Sequence, residues 1–136
     1  METIRHNVVI KTSPEKVYQA VTTQEGIASW WCKQTTAKPE LGFMNIFTFG
    51  TFRNEMKVAE LSDNKRTEWE CIQSIEEWMG TRISFDLEER NGNTLLRFTH
   101  GGWKAATDMF AVCNYDWARF ISSLKTFCET GTGEPA

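Results

Sequence analysis

The sequence lacks the features that define several common protein classes. No apolar run approaches the ~20 residues of a membrane-spanning helix, and the first residues contain no signal-peptide core. Lys and Arg number 15 against 18 Asp and Glu, a net charge of −3. A sequence-independent nucleic-acid binder needs clustered positive charge, which this balance disfavours. We therefore expect a cytoplasmic protein with neither a membrane nor a nucleic-acid partner.

Residues for metal or cofactor chemistry are also scarce. None of the four cysteines forms a C-x-x-C pair, so a zinc knuckle or a thioredoxin-type redox site is not indicated, and reduced thiols packed as small hydrophobes are favoured. The two histidines, His6 and His100, have no second ligand at metal spacing. The chain contains no Ser-His-Asp set, P-loop or dinucleotide fingerprint. We expect no metal and no cofactor, and an enzyme is less favoured than a non-enzyme.

The length fits one domain, residues 1–136, which is large enough to bury its own core. Residues 3–11 alternate apolar and polar side chains and predict a strand. Ser13 and Pro14 then favour a short helix over 14–22, and Thr23 begins a second one. Residues 129–136 hold two glycines and a proline and predict a flexible tail.

The middle and end of the chain favour a sheet followed by one helix. From 42 to 100 the patterns predict five or six strands, with a type I′ hairpin at Asn91-Gly92. Gly101-Gly102 is expected to end the sheet, and residues 105–128 form an amphipathic helix of ~36 Å. A run of strands before a helix indicates an α+β fold, in which a curved antiparallel sheet wraps around the long C-terminal helix. Such a curve can leave a space that side chains do not fill.

Several motifs occur in the order seen in a known superfamily. They are Ser13–Val21, Thr22–Cys32, Val58-x-Glu60, the strand with Trp69, the segment 93–102 and the segment 124–131. Together they resemble the START-like, helix-grip superfamily, and within it the branch named after the activator of the ninety-kilodalton heat-shock-protein ATPase. The resemblance implies a deep cavity for a hydrophobic small molecule. Some relatives carry lipids or sterols, others cyclise polyketides, and the name-giving member binds a chaperone. The ligand class does not carry over, because 35–43 and 73–79 depart from the usual pattern.

The heavy aromatic content, six Trp and nine Phe, leads to the first functional hypothesis: a cofactor-free domain that binds a small hydrophobic or aromatic molecule between sheet and helix. The candidate ligand-binding residues are those on inward-facing positions. They are Trp30, Trp31, Phe47, Met56, Trp69, Phe85, Phe98, His100, Phe110, Cys113 and Trp117.

Two alternatives use the same residues differently. A cyclase or hydrolase could use His100 as its base, or a Glu buried in the cavity, the candidates being Glu55, Glu68 and Glu70. A lone strand histidine is more often structural, and glutamates that face solvent are favoured over buried ones. An interaction module, for a chaperone or for a second copy of the chain, would expose Trp78 together with one of the adjacent Trp30 and Trp31, which we do not expect both to point inward.

Overall fold

The N-terminal elements form where their local signals predict. The computed structural model describes residues 1–136, and its first elements are β1 (Glu2–Ile10), α1 (Pro14–Thr22) and α2 (Gln24–Trp30). The Ser13 hydroxyl accepts the Lys16 amide at the start of α1, with Pro14 at the first helical position. The Thr23 hydroxyl accepts the Gly26 amide in the same way at the start of α2. Two capped helices therefore follow the first strand.

One antiparallel sheet of seven strands makes up most of the molecule. The further strands are β2 (Gln34–Thr36), β3 (Met44–Phe49), β4 (Phe52–Ser62), β5 (Arg66–Gln73), β6 (Arg82–Arg90) and β7 (Asn93–Trp103). Their spatial order is β1-β7-β6-β5-β4-β3-β2. Asn91 and Gly92 have φ of 54° and 84°, which confirms the predicted β6–β7 hairpin turn. A single turn of 3-10 helix, Glu76–Trp78, connects β5 to β6.

The prediction that Gly101-Gly102 ends the sheet is wrong. β7 continues through both glycines to Trp103, and its pairing with β1 shifts register between Ile4, opposite His100, and Glu2, opposite Trp103. Gly102 has a φ of 90°, a conformation that glycine tolerates, so the strand bends there without breaking. The next helix consequently starts at Asp108, later than the predicted 105.

The last helix, α3 (Asp108–Thr130), is gripped by the sheet. The Thr107 hydroxyl caps its first turn, and Gly131 ends it in the left-handed region with a φ of 89°. Its buried residues Cys113, Trp117, Ile121 and Leu124 face the apolar side of the sheet. This arrangement confirms the predicted α+β helix-grip fold. α3 is not apolar enough to cross a membrane, and the other helices are too short.

The residues after α3 return along α2. The Glu134 amide donates to the Ser123 hydroxyl at 2.7 Å, and the Ala136 amide donates to the Trp31 carbonyl at 2.9 Å. Gly133 lies so close to α2 that a Cβ there would stand 2.5 Å from the Ser29 carbonyl oxygen. The segment expected to be a tail therefore lies in contact with α2 and α3.

Candidate functional site

Aromatic rings fill the deep space between the sheet and α3. The Trp31 ring centroid lies 4.6 Å from that of Phe47, 5.9 Å from Trp69 and 5.1 Å from Trp117. Phe98 continues the cluster at 4.6 Å from Trp117. Ring pairs at these distances are in packing contact and leave no room for a ligand between them. Six of the candidate residues are fully buried in this core and do not line the cleft at its mouth: Trp30, Phe47, Met56, Trp69, Phe85 and Phe98.

Both Trp30 and Trp31 point inward, so the prediction that only one of them does is wrong. Trp30 is the last residue of α2, and its indole N–H donates to the Ala20 carbonyl at 2.8 Å. Trp31 leaves the helix with φ −114° and ψ −66°, which turns its ring onto that of Trp30 at 6.1 Å. The helix ends between the two residues, and the change of backbone direction brings two adjacent side chains to the same side.

A smaller cleft remains at the mouth of this space. It has a volume of about 320 Å³ and lies between the β3–β4 hairpin, the segment after β5, and α3. Eight of its eleven lining residues are hydrophobic. The lining consists of Trp31, Phe49, Phe52, Asn54, Ser74, Ile75, Trp78, Cys113, Asp116, Trp117 and Phe120. A larger groove of about 500 Å³ between α1, α2 and the end of α3 has only three hydrophobic residues among twelve, so it offers less to an apolar molecule.

Three predicted site residues, Trp31, Cys113 and Trp117, line this cleft. Phe110 instead packs edge-on against Trp103, with ring centroids 5.2 Å apart. Sequence reasoning missed the hairpin residues Phe49 and Phe52 as lining residues. Both flank the turn at Gly50-Thr51, and a pair of aromatics on either side of a short turn is a signal that could have found them. Trp78, expected at an exposed interaction surface, also lines the cleft, as does Phe120 of α3.

His100 lies behind the cleft wall and is bonded on both ring nitrogens. Its Nδ1 accepts the Trp117 indole N–H at 3.0 Å, so the proton sits on Nε2, which donates to the Thr81 hydroxyl at 2.8 Å. Thr81 in turn donates to the Trp78 carbonyl at 2.6 Å. Burial lowers the pKa of His100 to about 3. The imidazole is therefore neutral and engaged, and it holds two cleft residues, Trp78 and Trp117, in position.

The glutamates considered as bases do not enter the cavity. Arg66 and Arg82 both bind the Glu68 carboxylate at 2.7 Å, and Glu70 lies 3.8 Å from Arg82. Glu55 lies 3.4 Å from Arg53. These side chains alternate with the buried Met56, Trp69 and Cys71, so strand parity places them on the convex face. The hypothesis of a cavity glutamate is wrong.

Of the other polar groups near the core, His6 is partnered and Cys113 is inert, whereas the indole N–H groups of Trp78 and Trp103 have no hydrogen-bond partner. The half-buried His6 donates from Nε2 to the Asn114 carbonyl of α3 at 3.2 Å. Burial raises the pKa of the Cys113 thiol, and the carboxylates of Asp116 and Glu77 raise it further, against an opposing effect of the Trp78 indole N–H. Cys113 is thus a protonated thiol. All four cysteines are free, and no three His, Cys, Asp or Glu side chains come together as a metal site requires.

Comparison with known proteins gives consistent matches. A model of the family described as Activator of Hsp90 ATPase homolog 1-like protein matches residues 11–129. The solution structure of the Aha1 dimer from Colwellia psychrerythraea is 42% identical in sequence, with a TM-score of 0.90; the match covers 98% of this chain and 100% of that one. No curated protein matches the sequence.

More distant structures share the fold alone. A crystal structure of a Staphylococcus saprophyticus protein is 18% identical, with a TM-score of 0.80, and the match covers 99% of this chain and 98% of that chain. A protein encoded in the dynemicin biosynthetic locus is also 18% identical with a TM-score of 0.80, over 98% of this chain and 49% of that chain.

Proposed function

The chain belongs to the Activator of Hsp90 ATPase homolog 1-like family, and from that premise we propose that it is a binding protein for a small apolar or aromatic molecule. The observation that supports this most is the composition of the cleft at the mouth of the grip. Its walls are aromatic rings from the β3–β4 hairpin, the 3-10 turn and α3. Its volume of about 320 Å³ lies at the lower end of the ~300–1,000 Å³ common for ligand pockets.

Among the wall residues, Phe52 is the most open to solvent, with 44% of its surface exposed, whereas Trp31 and Trp117 are buried. A ligand that buried ~200–300 Å² of apolar surface in total, its own and that of the cleft together, would gain about 5–7 kcal/mol before the costs of association, at ~25 cal/mol per Å². After those costs, we expect affinities weaker than micromolar.

An enzymatic function in the same cleft has less support. A cyclase or hydrolase needs a group that can take up or release a proton beside the substrate. Of the titratable lining residues, Cys113 is protonated and Asp116 lies at the open rim. His100 would have to break its bonds to Trp117 and Thr81 before it could act as a base. Binding alone uses the cleft as it stands.

The proposal is tested with a neutral fluorescent probe, N-phenyl-1-naphthylamine. Saturable enhancement of its fluorescence is expected for the wild type. Phe52→Ser and Phe120→Ala should each weaken binding about fivefold or more, because each removes part of a wall. Leu41→Ala is the matched control, since Leu41 is 63% exposed but lies outside the cleft. Absence of saturable binding, or equal losses in all three variants, would contradict the proposal.

The dimer observed for the Colwellia psychrerythraea relative supports a second proposal, that two copies of this chain associate. Val112 and Tyr115, three residues apart on α3, expose 54% and 69% of their surface and form an apolar strip beside the cleft. Sedimentation velocity over a range of concentrations measures the association. Val112→Glu should shift the population to monomer, whereas Val9→Glu, on the exposed side of β1, should not. A wild type that stays monomeric at millimolar concentration would rule this out.

A further inference from the structure

We propose that the cleft prefers an organic cation, an apolar molecule that carries one alkylated ammonium group. This inference rests on the proposed binding function and adds the charge of the ligand. Its first basis is the number of aromatic rings in the lining, three Trp and three Phe among eleven residues. The negative face of an aromatic ring attracts a cation, and Trp does so most strongly. The Trp78 and Trp117 rings lie nearly parallel, 17° apart with centroids at 6.1 Å, and both line the cleft.

The second basis is a carboxylate at the rim of the cleft. Asp116 lines the cleft one helical turn before Phe120, and 45% of its side chain is exposed. Its only ion pair, with Arg119, is long at 3.7 Å and joins two exposed side chains, so it is weak. Glu77, next to Trp78, accepts the Thr107 hydroxyl at 2.6 Å and adds a second negative charge nearby. Burial raises the pKa of the lining residue Cys113 most, and both carboxylates raise it further, as negative charges close to the cleft do.

The third basis is that no cationic side chain lines the cleft, where the buried indole N–H of Trp78 is an unpaired neutral donor. Ser74 donates to the Asn54 amide oxygen, and the Asn54 amide nitrogen donates to the Phe47 carbonyl at 3.3 Å, so these two polar residues satisfy each other and the backbone. No Lys, Arg or His is among the lining residues. An anionic ligand would find no cationic partner there and would lie beside Asp116. An ammonium group would meet aromatic rings and Asp116.

Matched probes measure the charge preference. Phenyltrimethylammonium and tert-butylbenzene have the same shape and differ by the positive nitrogen, and benzenesulfonate supplies the opposite charge. Each is titrated as a competitor of N-phenyl-1-naphthylamine on the intact protein. We expect the cation to bind about fivefold to tenfold more tightly than its neutral isostere, and the anion to bind most weakly.

Substitutions identify the carboxylate. Asp116→Asn should weaken binding of the cation about threefold to fivefold and leave the affinity for tert-butylbenzene unchanged. The effect on the cation is modest because solvent partly screens the charge at the rim. Asp116→Glu should keep the preference for the cation. Asp63→Asn removes the same charge from the exposed β4–β5 turn and serves as the control that should change neither affinity. The indole N–H signals in ¹H–¹⁵N spectra verify that each variant remains folded.

The outcomes separate the two proposals. If none of the probes binds, the proposed binding function itself fails. If N-phenyl-1-naphthylamine and tert-butylbenzene bind but the cation has no advantage, or if Asp116→Asn lowers all affinities alike, only the preference for a cation is overturned.

Discussion

Acid should destabilise this protein through the buried His100. Its pKa is about 3 in the folded state, against an ordinary value of 6.5 when unfolded. Below pH 6.5 the unfolded chain therefore binds a proton that the folded chain refuses, and the free energy of unfolding falls as the pH falls toward 3. Linkage over this interval predicts a loss of about 2 kcal/mol at pH 5 relative to pH 7.5 from this group alone. Above pH 7 its contribution to the pH dependence is close to zero.

The assay is urea unfolding at pH 7.5 and pH 5 on the wild type and on His100→Gln. Glutamine can accept from Trp117 and donate to Thr81 as the imidazole does, but it does not titrate. The free energy of unfolding should therefore fall by about 2 kcal/mol less between pH 7.5 and pH 5 in His100→Gln than in the wild type. His6→Gln is the matched control and should keep the wild-type difference. Parallel losses in the wild type and His100→Gln would refute the assignment, since the acid sensitivity would then come from other groups.

Two further predictions concern the packing of α2. Gly26→Ala should lower the free energy of unfolding in urea by about 1–3 kcal/mol, although alanine is the better helix former. The reason is that the alanine Cβ would stand 2.6 Å from the Gln19 carbonyl oxygen and 2.7 Å from Ala20 Cα. A gain in stability would contradict this. Ser123→Ala should lower the free energy of unfolding by about 1–2 kcal/mol and speed hydrogen exchange at the Glu134 amide. The Ser123 hydroxyl donates to the Trp30 carbonyl at 2.8 Å and accepts a hydrogen bond from the Glu134 amide. The exposed Ser122→Ala is its control, and equal exchange rates in both variants would show that the hydroxyl does not hold the segment.

The elements that sequence could predict are those with a local cause. Ser13-Pro14 and Asn91-Gly92 each determine backbone geometry within four residues, so the helix start and the hairpin appear as expected. β2 has only three residues and depends on pairing with β3, which no local pattern announces. Gly101-Gly102 looked like a break because glycines disfavour strands, but pairing with β1 keeps the backbone in the sheet through a bulge.

Sequence patterns identify only some of the residues that line the candidate cleft, because they show which side chains face inward and not where space remains. Strand parity and helix spacing identify which side chains face inward, and that reasoning correctly placed Trp31, Cys113 and Trp117 toward the interior. Parity does not measure how much space those side chains fill. Whether rings such as Phe85 and Trp69 meet or leave a gap depends on the curvature of the sheet, and here their centroids are 5.2 Å apart. The cleft lies where the β3–β4 hairpin, the segment after β5 and α3 meet, and these segments are distant in sequence.

The position of His100 explains how a filled aromatic core can still maintain an open cleft beside it. In a wholly apolar core, Trp78 and Trp117 would gain stability by moving into the open space of the cleft, because apolar burial is favourable in any direction. The hydrogen bonds from Trp117 to His100, from His100 to Thr81, and from Thr81 to the Trp78 carbonyl are directional. Breaking either of the first two leaves a buried ring nitrogen unpaired, at a cost of about 1–3 kcal/mol. Thr81→Val should therefore alter probe binding at the cleft even though Thr81 is not among the lining residues, whereas Thr67→Val, a buried threonine outside this network, should alter stability alone.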